Sequence, residues 1–436
     1  MSTLLQRTEV GTERHNAVLP GTRPGPVARG ARSVLLRRLD RMTAGRMRLT
    51  DGDGAHVLGS STREPVDLIV RRPRFYRRAV TGGALGAAAA YLDGDWDCSD
   101  LVGLFRLIVR DQQAGARLDN GRLADLGARL GHALRANTRR GSRRNIRDHY
   151  DLGDDLFELF LDTSMTYSSA VFEAAEQSLE DAQTEKLDRI CRKLGLQPEH
   201  HVLEIGTGWG SFALHAARHY GCRVTTTTLS DAQYARATAR VADAGLDDRV
   251  TVLLRDYRDL EGEYDRLVSI EMIEAVGHAN LGTFFRCCAE RLRPDGLMLL
   301  QVITTSDREY ERYRRSVDFI QRYVFPGSLC PAPSALSAAM GRNSDLRITH
   351  LEDLAADYER TLRHWRERFW ERIEDVRALG YPERFLRLWD YYLQYCEAGF
   401  AERHIGNLQL VLARPGNHAA PIRPHLPVST PDEEVA

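Results

Sequence analysis

From residue 185 onward, apolar stretches of strand length alternate with helical periodicity, and this rhythm admits few folds. It calls for an open, mostly parallel sheet with helices on its faces. Strands are expected near 201–205, 222–227, 249–254, 265–270 and 296–303, with helices from about 210, 231 and 280 between them. The segment 307–345 interrupts the rhythm with a helical stretch, "EYERYRRSVDFIQRYVFPG", and a proline-bearing loop; strands resume near 346–351 and 407–413. An insertion there lies near the carboxyl ends of the strands, where ligands bind in such sheets, so it is expected to act as a lid.

The first strand runs into "VLEIGTGWGS", residues 202–211. Gly206 allows a tight turn, while Gly208 and Gly210 let backbone amides approach a ligand and start a helix. The G-x-G-x-G spacing suits a nucleoside cofactor. A dinucleotide reader would want G-x-G-x-x-G and an acid roughly 20 residues onward. Position 211 is Ser, and the second strand ends in "TTTTLSDAQ" with no acid before Asp231, which weakens the case for NAD. Glu204 offers a carboxylate at the strand end, where it could meet the ammonium of S-adenosylmethionine. Asp256, in "LLRDYRDL", could bond an adenine amino group with Tyr257 packed on the ring, and Thr228, Leu229 and Gln233 are expected near the ribose. Each acid alone could equally cap a helix or face solvent. Their joint placement favours a methyltransferase.

The rest of the chain adds organisation. Its 436 residues have room for two or three domains. The net charge of −1 excludes a globally basic binder, so no nucleic-acid partner is expected. Lysine occurs only at Lys186 and Lys193; nearly all positive charge is arginine, which grips phosphate bidentately. Seven cysteines without CxxC spacing favour a reducing compartment and argue against a disulfide framework or a metal site. Residues 1–34 read as a disordered arm, 35–116 as a small α+β unit, 117–147 as a basic linker, 148–414 as the α/β domain with its lid at 307–345, and 415–436 as a disordered tail. The most apolar run, "GGALGAAAAYL" at 82–92, is too short to span a bilayer, so any membrane contact is from the side. Arg139, Arg140, Arg143, Arg144 and Arg147 form a cluster that is either a solvated linker or a surface for anionic lipid.

Five stretches then carry a resemblance: "RDHYDLGDDLFELFLDTSMTYSSAVFE" (147–173), "VLEIGTGWGS", "VSIEMIEAVGH" (268–278), "YVFPG" (323–327) and "YLQYCEAGF" (392–400). Together, from about 35 to 415 and in family order, they resemble the cyclopropane-fatty-acyl-phospholipid synthase family, including its amino-terminal lipid-binding unit with "GALGAAAAYLDGDW". The resemblance implies a Rossmann-like class I methyltransferase with a helical lid insertion and a small N-terminal α+β lipid-binding domain. It implies methyl transfer from S-adenosylmethionine to the cis double bond of a phospholipid acyl chain, on the cytoplasmic face of the inner membrane. The product is a cyclopropane or, in the tuberculostearic-type branch, a methylene-branched chain. A partner reductase enters only with the methylene product, and assembly into a homo-oligomer stays open. Tyr167 and Ser168 are carried over to the cofactor site.

An alkene is a poor nucleophile, so it must be held in line with the sulfonium in a dry site. Tyr167, Phe319, Tyr323, Phe325, Tyr358, Trp365 and Phe369 are candidates for an aromatic wall beside the carbocation, with Phe319 and Tyr323 also expected to touch lipid. A proton must then leave. In the family a bound bicarbonate takes it, and its holders fall here on Glu274, Tyr358 and the backbone amide of Ile303. Two further holders differ: Ser169 stands where the family often has cysteine, and Gln301 where it often has histidine. Both can still hydrogen-bond an anion. Two other functional classes remain at this point, a methyltransferase of a non-lipid small molecule and a lipid-binding protein without catalysis.

Overall fold

The computed structural model describes residues 24–114, 153–420 and 422. The chain forms two compact units. One comprises the described residues up to Met165 together with Thr305–Ala332 and Ala355–Gly406; the other comprises Thr166–Thr304, Pro333–Leu354 and the described residues from Asn407 onward.

The first unit contains a four-stranded sheet of β1 (Met47–Asp51), β2 (Gly54–Leu58), β3 (Val66–Val70) and β4 (Trp96–Cys98), in the order β2-β1-β3-β4. The alanine-rich run is a helix, Arg74–Leu92, bent at Gly83, whose φ of 55° no branched residue would tolerate at low cost. Asp95, buried after this helix, is held by Arg74 and Arg78. The helix Leu101–Gln113 starts at Asp100, which accepts from the Gly103 amide, and packs on Glu383–Ala401. Three of the aromatic-wall candidates lie here: Phe319 is 4.4 Å from Tyr391, and Trp365 and Phe369 pack against Phe160, which also meets Trp389.

The second unit holds the expected doubly wound sheet. Its strands are β5 (His201–Ile205), β6 (Arg223–Thr228), β7 (Val250–Leu254), β8 (Tyr264–Ile270), β9 (Leu292–Thr305), β10 (Arg347–Asp353) and β11 (Ile405–Ala413). Their order is β10-β11-β9-β8-β5-β6-β7, with β5, β6, β7, β8 and β9 paired in parallel and β10 antiparallel to β11. The order reverses at β5, so the carboxyl ends of β5 and β8 flank the switch point. Successive residues alternate between two cores, as strand geometry requires. Leu203, Leu267 and Leu300 pack with Phe284, Phe285 and Met340 on one face; Val202, Val268 and Leu299 pack with Ile190, Phe212 and Ala216 on the other. β9 is longer than the 296–303 read from the sequence. It starts at Leu292, opposite Tyr264, and a register shift before Leu297 accommodates "RPDG", too polar to read as buried strand.

The segment read as one lid, 307–345, is divided between the units. Thr305–Ala332, with helices Asp307–Tyr313 and Phe319–Tyr323, belongs to the first, and the helix Pro333–Asn343 to the second, where Leu336 and Met340 enter its core. No helix among the described residues is long and apolar enough to cross a membrane.

Candidate active site

The glycine loop leaves β5 with three alternate positions at positive φ: 105° at Gly206, 53° at Gly208 and 88° at Gly210. A Cβ on Gly206 would lie 3.1 Å from Met272 Cβ, so the turn is closed on that side. A Cβ on Gly208 would meet nothing within 4 Å, so the backbone borders open space there. The loop is tied to β6, because the amides of Gly206 and Thr207 both donate to the Thr227 carbonyl. Beyond it the helix Ser211–Tyr220 begins.

The threonine run in β6 is buried, and each hydroxyl has a task. Thr226 donates to Glu204 Oε2 at 2.6 Å, and Thr228 donates to Gln233 Oε1 at 2.9 Å. Ser230 caps the helix Asp231–Asp243 by accepting from the Gln233 amide, while Leu229 is half-buried between them. Glu204 is fully enclosed, and burial pushes its carboxyl up to about 8 against the lowering effects of the Thr226 hydroxyl and the Lys186 charge. Lys186 itself is buried in the helix Leu179–Leu194 and donates to Ser168 Oγ at 2.8 Å, next to the half-buried Tyr167. At the end of β7, both Asp256 oxygens are gripped by Arg258, at 2.8 and 2.6 Å, so Asp256 is already charge-paired. Tyr257 packs edge-on to Phe284, 5.6 Å between centroids.

At the end of β8 two acids stand three residues apart. Glu274 Oε1 accepts from the Ile303 amide at 2.6 Å, and its buried Oε2 has no partner. Burial, then the charge of Glu271, push the Glu274 carboxyl up to about 8. Glu271, which the sequence reading passed over, has a φ of 49°, a setting that costs a non-glycine residue roughly 1–3 kcal/mol. Three N–H donors meet on its Oε1: the Ser169 amide at 3.1 Å, Gln301 Nε2 at 2.8 Å and Asn407 Nδ2 at 2.6 Å. Gln301 Oε1 is itself fixed by Gln409 Nε2 at 2.9 Å.

Residues 137–410 match the family model for mycolic acid cyclopropane synthetase. The chain belongs to that family. It is 37% identical over 412 residues to tuberculostearic acid methyltransferase UfaA1 of Mycobacterium tuberculosis, covering 90% of this chain and 93% of that protein. It is 38% identical over 371 residues to the cyclopropane-fatty-acyl-phospholipid synthase of Escherichia coli K12, covering 83% and 90%. Among solved structures, the cyclopropane synthase MmaA2 from M. tuberculosis superposes with a TM-score of 0.59 at 32% identity, over 62% of this chain and 98% of that one. Mycolic acid cyclopropane synthase CmaA1, solved with S-adenosylhomocysteine and CTAB, gives 0.59 at 31% identity, over 62% and 98%.

As a member of the mycolic acid cyclopropane synthetase family with this seven-stranded sheet, the chain is an S-adenosylmethionine-dependent methyltransferase. The residues suit the cofactor: the space beside Gly208 is open, and Glu204 is a buried carboxyl whose only hydrogen-bond partner among the described residues is a hydroxyl. When bound, the cofactor supplies a methyl group on a cationic sulfur. Glu204, Gly206, Gly208 and Gly210 would hold its methionine end, Thr228, Leu229 and Gln233 its ribose, and Asp256 and Tyr257 its adenine.

Bicarbonate does not suit the residues of this unit. The Ser169 hydroxyl donates to the Ala170 carbonyl at 3.0 Å, the Gln301 amide to Glu271, and the Ile303 amide to Glu274. The donors expected to hold a free anion are engaged by the chain's own groups. Tyr358, Phe319 and Tyr323 belong to the other unit, where Tyr358 stacks on Phe400 at 4.4 Å and Phe319 lies 5.4 Å from Tyr323. Arg139, Arg140, Arg143, Arg144 and Arg147 lie outside the described residues.

Proposed function

We propose that this methyltransferase places the methyl group on the cis double bond of an unsaturated fatty-acyl chain carried by a phospholipid. Family membership over most of the chain supports this, since UfaA1 and the E. coli enzyme are named for fatty-acyl products. Within the site, the observation that carries it is the pair of acids at the end of β8, Glu274 buried and Glu271 partly buried. One is held by three N–H groups and the other has an orphaned oxygen, so the site offers acid–base groups for removing a proton after transfer.

Loss of that proton determines the product. Taken directly from the added methyl, it closes a cyclopropane; taken after a hydride shift, it leaves an exocyclic methylene for a partner reductase. The enzyme works on the membrane surface as a peripheral protein, with the arginines of 139–147 as the docking element and Phe319 and Tyr323 against the acyl chain. Labelled S-adenosylmethionine, incubated with the protein and vesicles of unsaturated phospholipid, should deliver label to the organic phase. Chromatography of the fatty-acid methyl esters against cyclopropane and methylene standards identifies the product. Label confined to the aqueous phase would show a small-molecule methyltransferase instead.

A further inference from the structure

We infer that Glu271 is the proton acceptor of the final step, so that this enzyme carries its base on its own chain and needs no bicarbonate. The inference rests on the acyl-methyl-transfer reading. Its ground is that Gln301, a position that departs from the family's pattern, donates its side-chain amide to Glu271 Oε1 at 2.8 Å, and the backbone amide of Ser169 donates to the same oxygen at 3.1 Å. Asn407 supplies a third donor at 2.6 Å. Three N–H groups aimed at one point form an anion site, and here the anion is a side chain of the same polypeptide.

The backbone is arranged to deliver it. Glu271 follows β8 directly and takes a left-handed conformation, and its amide donates to the Gln301 carbonyl at 2.8 Å, so Gln301 holds the residue at both its backbone and its side chain. Such strain in a non-glycine residue persists only where surrounding contacts impose it, which is a mark of functional sites. Glu274 complements it. Its carboxyl, raised by burial and by the neighbouring Glu271 charge, keeps its proton near neutrality, three residues from Glu271.

The step balances without a further reagent. After methyl transfer the acyl chain carries a cation. A C–H bond breaks, its electron pair forms the ring bond or the methylene double bond, and the proton passes to the Glu271 carboxylate and then to solvent when product leaves. The same carboxylate, fixed beside the reacting chain, also offsets the cation's charge.

Two substitutions test this. Glu271→Gln keeps an oxygen for the three donors but cannot take a proton; Glu271→Ala vacates the space. In buffer freed of carbon dioxide, the wild-type enzyme should label unsaturated phospholipid at the rate seen with added bicarbonate, and both variants should fall on the order of 100-fold, the scale of a positioned acid–base group. Added bicarbonate should restore Glu271→Ala in part and leave Glu271→Gln inactive. Calorimetry should show bicarbonate binding to Glu271→Ala but not to wild type, with S-adenosylhomocysteine affinity unchanged in all three as the control for folding. A wild-type enzyme that stops when bicarbonate is removed, or a Glu271→Gln variant that keeps its rate, overturns the assignment while leaving the reaction standing. No labelled lipid from wild type under any condition overturns the reaction and the assignment together.

Discussion

Thr226 Oγ1 donates to Glu204 Oε2 at 2.6 Å between directly paired residues of β5 and β6, and among the described residues this hydroxyl is the carboxyl's only hydrogen-bond partner. A buried acid so sparsely compensated is an invitation to a cation. Its carboxyl stands near 8, with Lys186 the one charge acting on it, from the neighbouring helix. To hold a cofactor ammonium it must ionise. S-adenosylhomocysteine should therefore bind more tightly as pH rises from about 6 to about 8, approaching tenfold per unit, with a proton released on binding. Calorimetry in buffers of different ionisation enthalpy measures both. Glu204→Gln should weaken binding and flatten the profile; a pH-independent wild-type affinity would remove Glu204 from the site.

Glu204 and Glu274 also set the pH dependence of stability. Each has a folded value near 8, above the ordinary value of 4.5. The sign follows: as pH rises past 4.5 the unfolded chain ionises while the folded protein holds its protons. Stability is therefore lost between about 4.5 and 8, by on the order of a few kcal/mol, and levels above that. The ligand-free protein should melt at a higher temperature near pH 5.5 than near pH 8, and Glu274→Gln should flatten part of that slope.

The orphaned oxygen of Glu274 bears on turnover as well. Burial and the Glu271 charge favour the protonated acid. Glutamine resembles that neutral form. Glu274→Gln should keep cofactor binding and lose less turnover than Glu274→Ala, which removes the acceptor of the Ile303 amide and should cost on the order of 100-fold. Equal losses in a steady-state assay would return the role to the charge.

Gly208 separates cofactor binding from folding. Its φ of 53° makes a side chain costly by roughly 1–2 kcal/mol, yet a Cβ there meets no neighbour. Gly208→Val should lower the melting temperature modestly while abolishing measurable S-adenosylhomocysteine binding. Wild-type affinity in that variant would show that the loop does not cradle the cofactor.

The arginines of 139–147 are tested by salt. Binding to anionic vesicles should weaken as ionic strength rises, since exposed charges are screened within about 8 Å at physiological salt. Changing Arg139, Arg140, Arg143, Arg144 and Arg147 to Gln should remove the salt-dependent part. Binding that is indifferent to both would place the docking surface elsewhere.

The sheet was legible because its strands are short apolar runs punctuated by glycine and polar turns, a local signal. The glycine loop was legible for the same reason, and Glu274 through the family resemblance. Glu271 was not, although it lies three residues away. Its meaning comes from Ser169, Gln301 and Asn407, which are 102, 30 and 136 residues distant along the chain. No window of sequence contains that convergence. The burial of Lys186 left a faint trace, since a lysine that persists where arginine is otherwise used holds a place a guanidinium does not fit. The division of 307–345 between two units left none, because the second half read only as a proline-bearing loop, whereas Pro333–Asn343 is a helix whose Leu336 and Met340 enter the second unit's core.

Lys186 and Lys193 are the only lysines among 60 basic residues, and both are enclosed, Lys186 against Ser168 and Lys193 against Glu352 and Gln409. The described surface is thus rich in positive charge and almost devoid of primary amines. Amine-directed cross-linkers, dyes and immobilisation resins would find little purchase on it, whereas dicarbonyl reagents selective for guanidinium would label it heavily. A surface mapped by the first chemistry alone would look inert, and one mapped by the second would show where anionic lipid shields it.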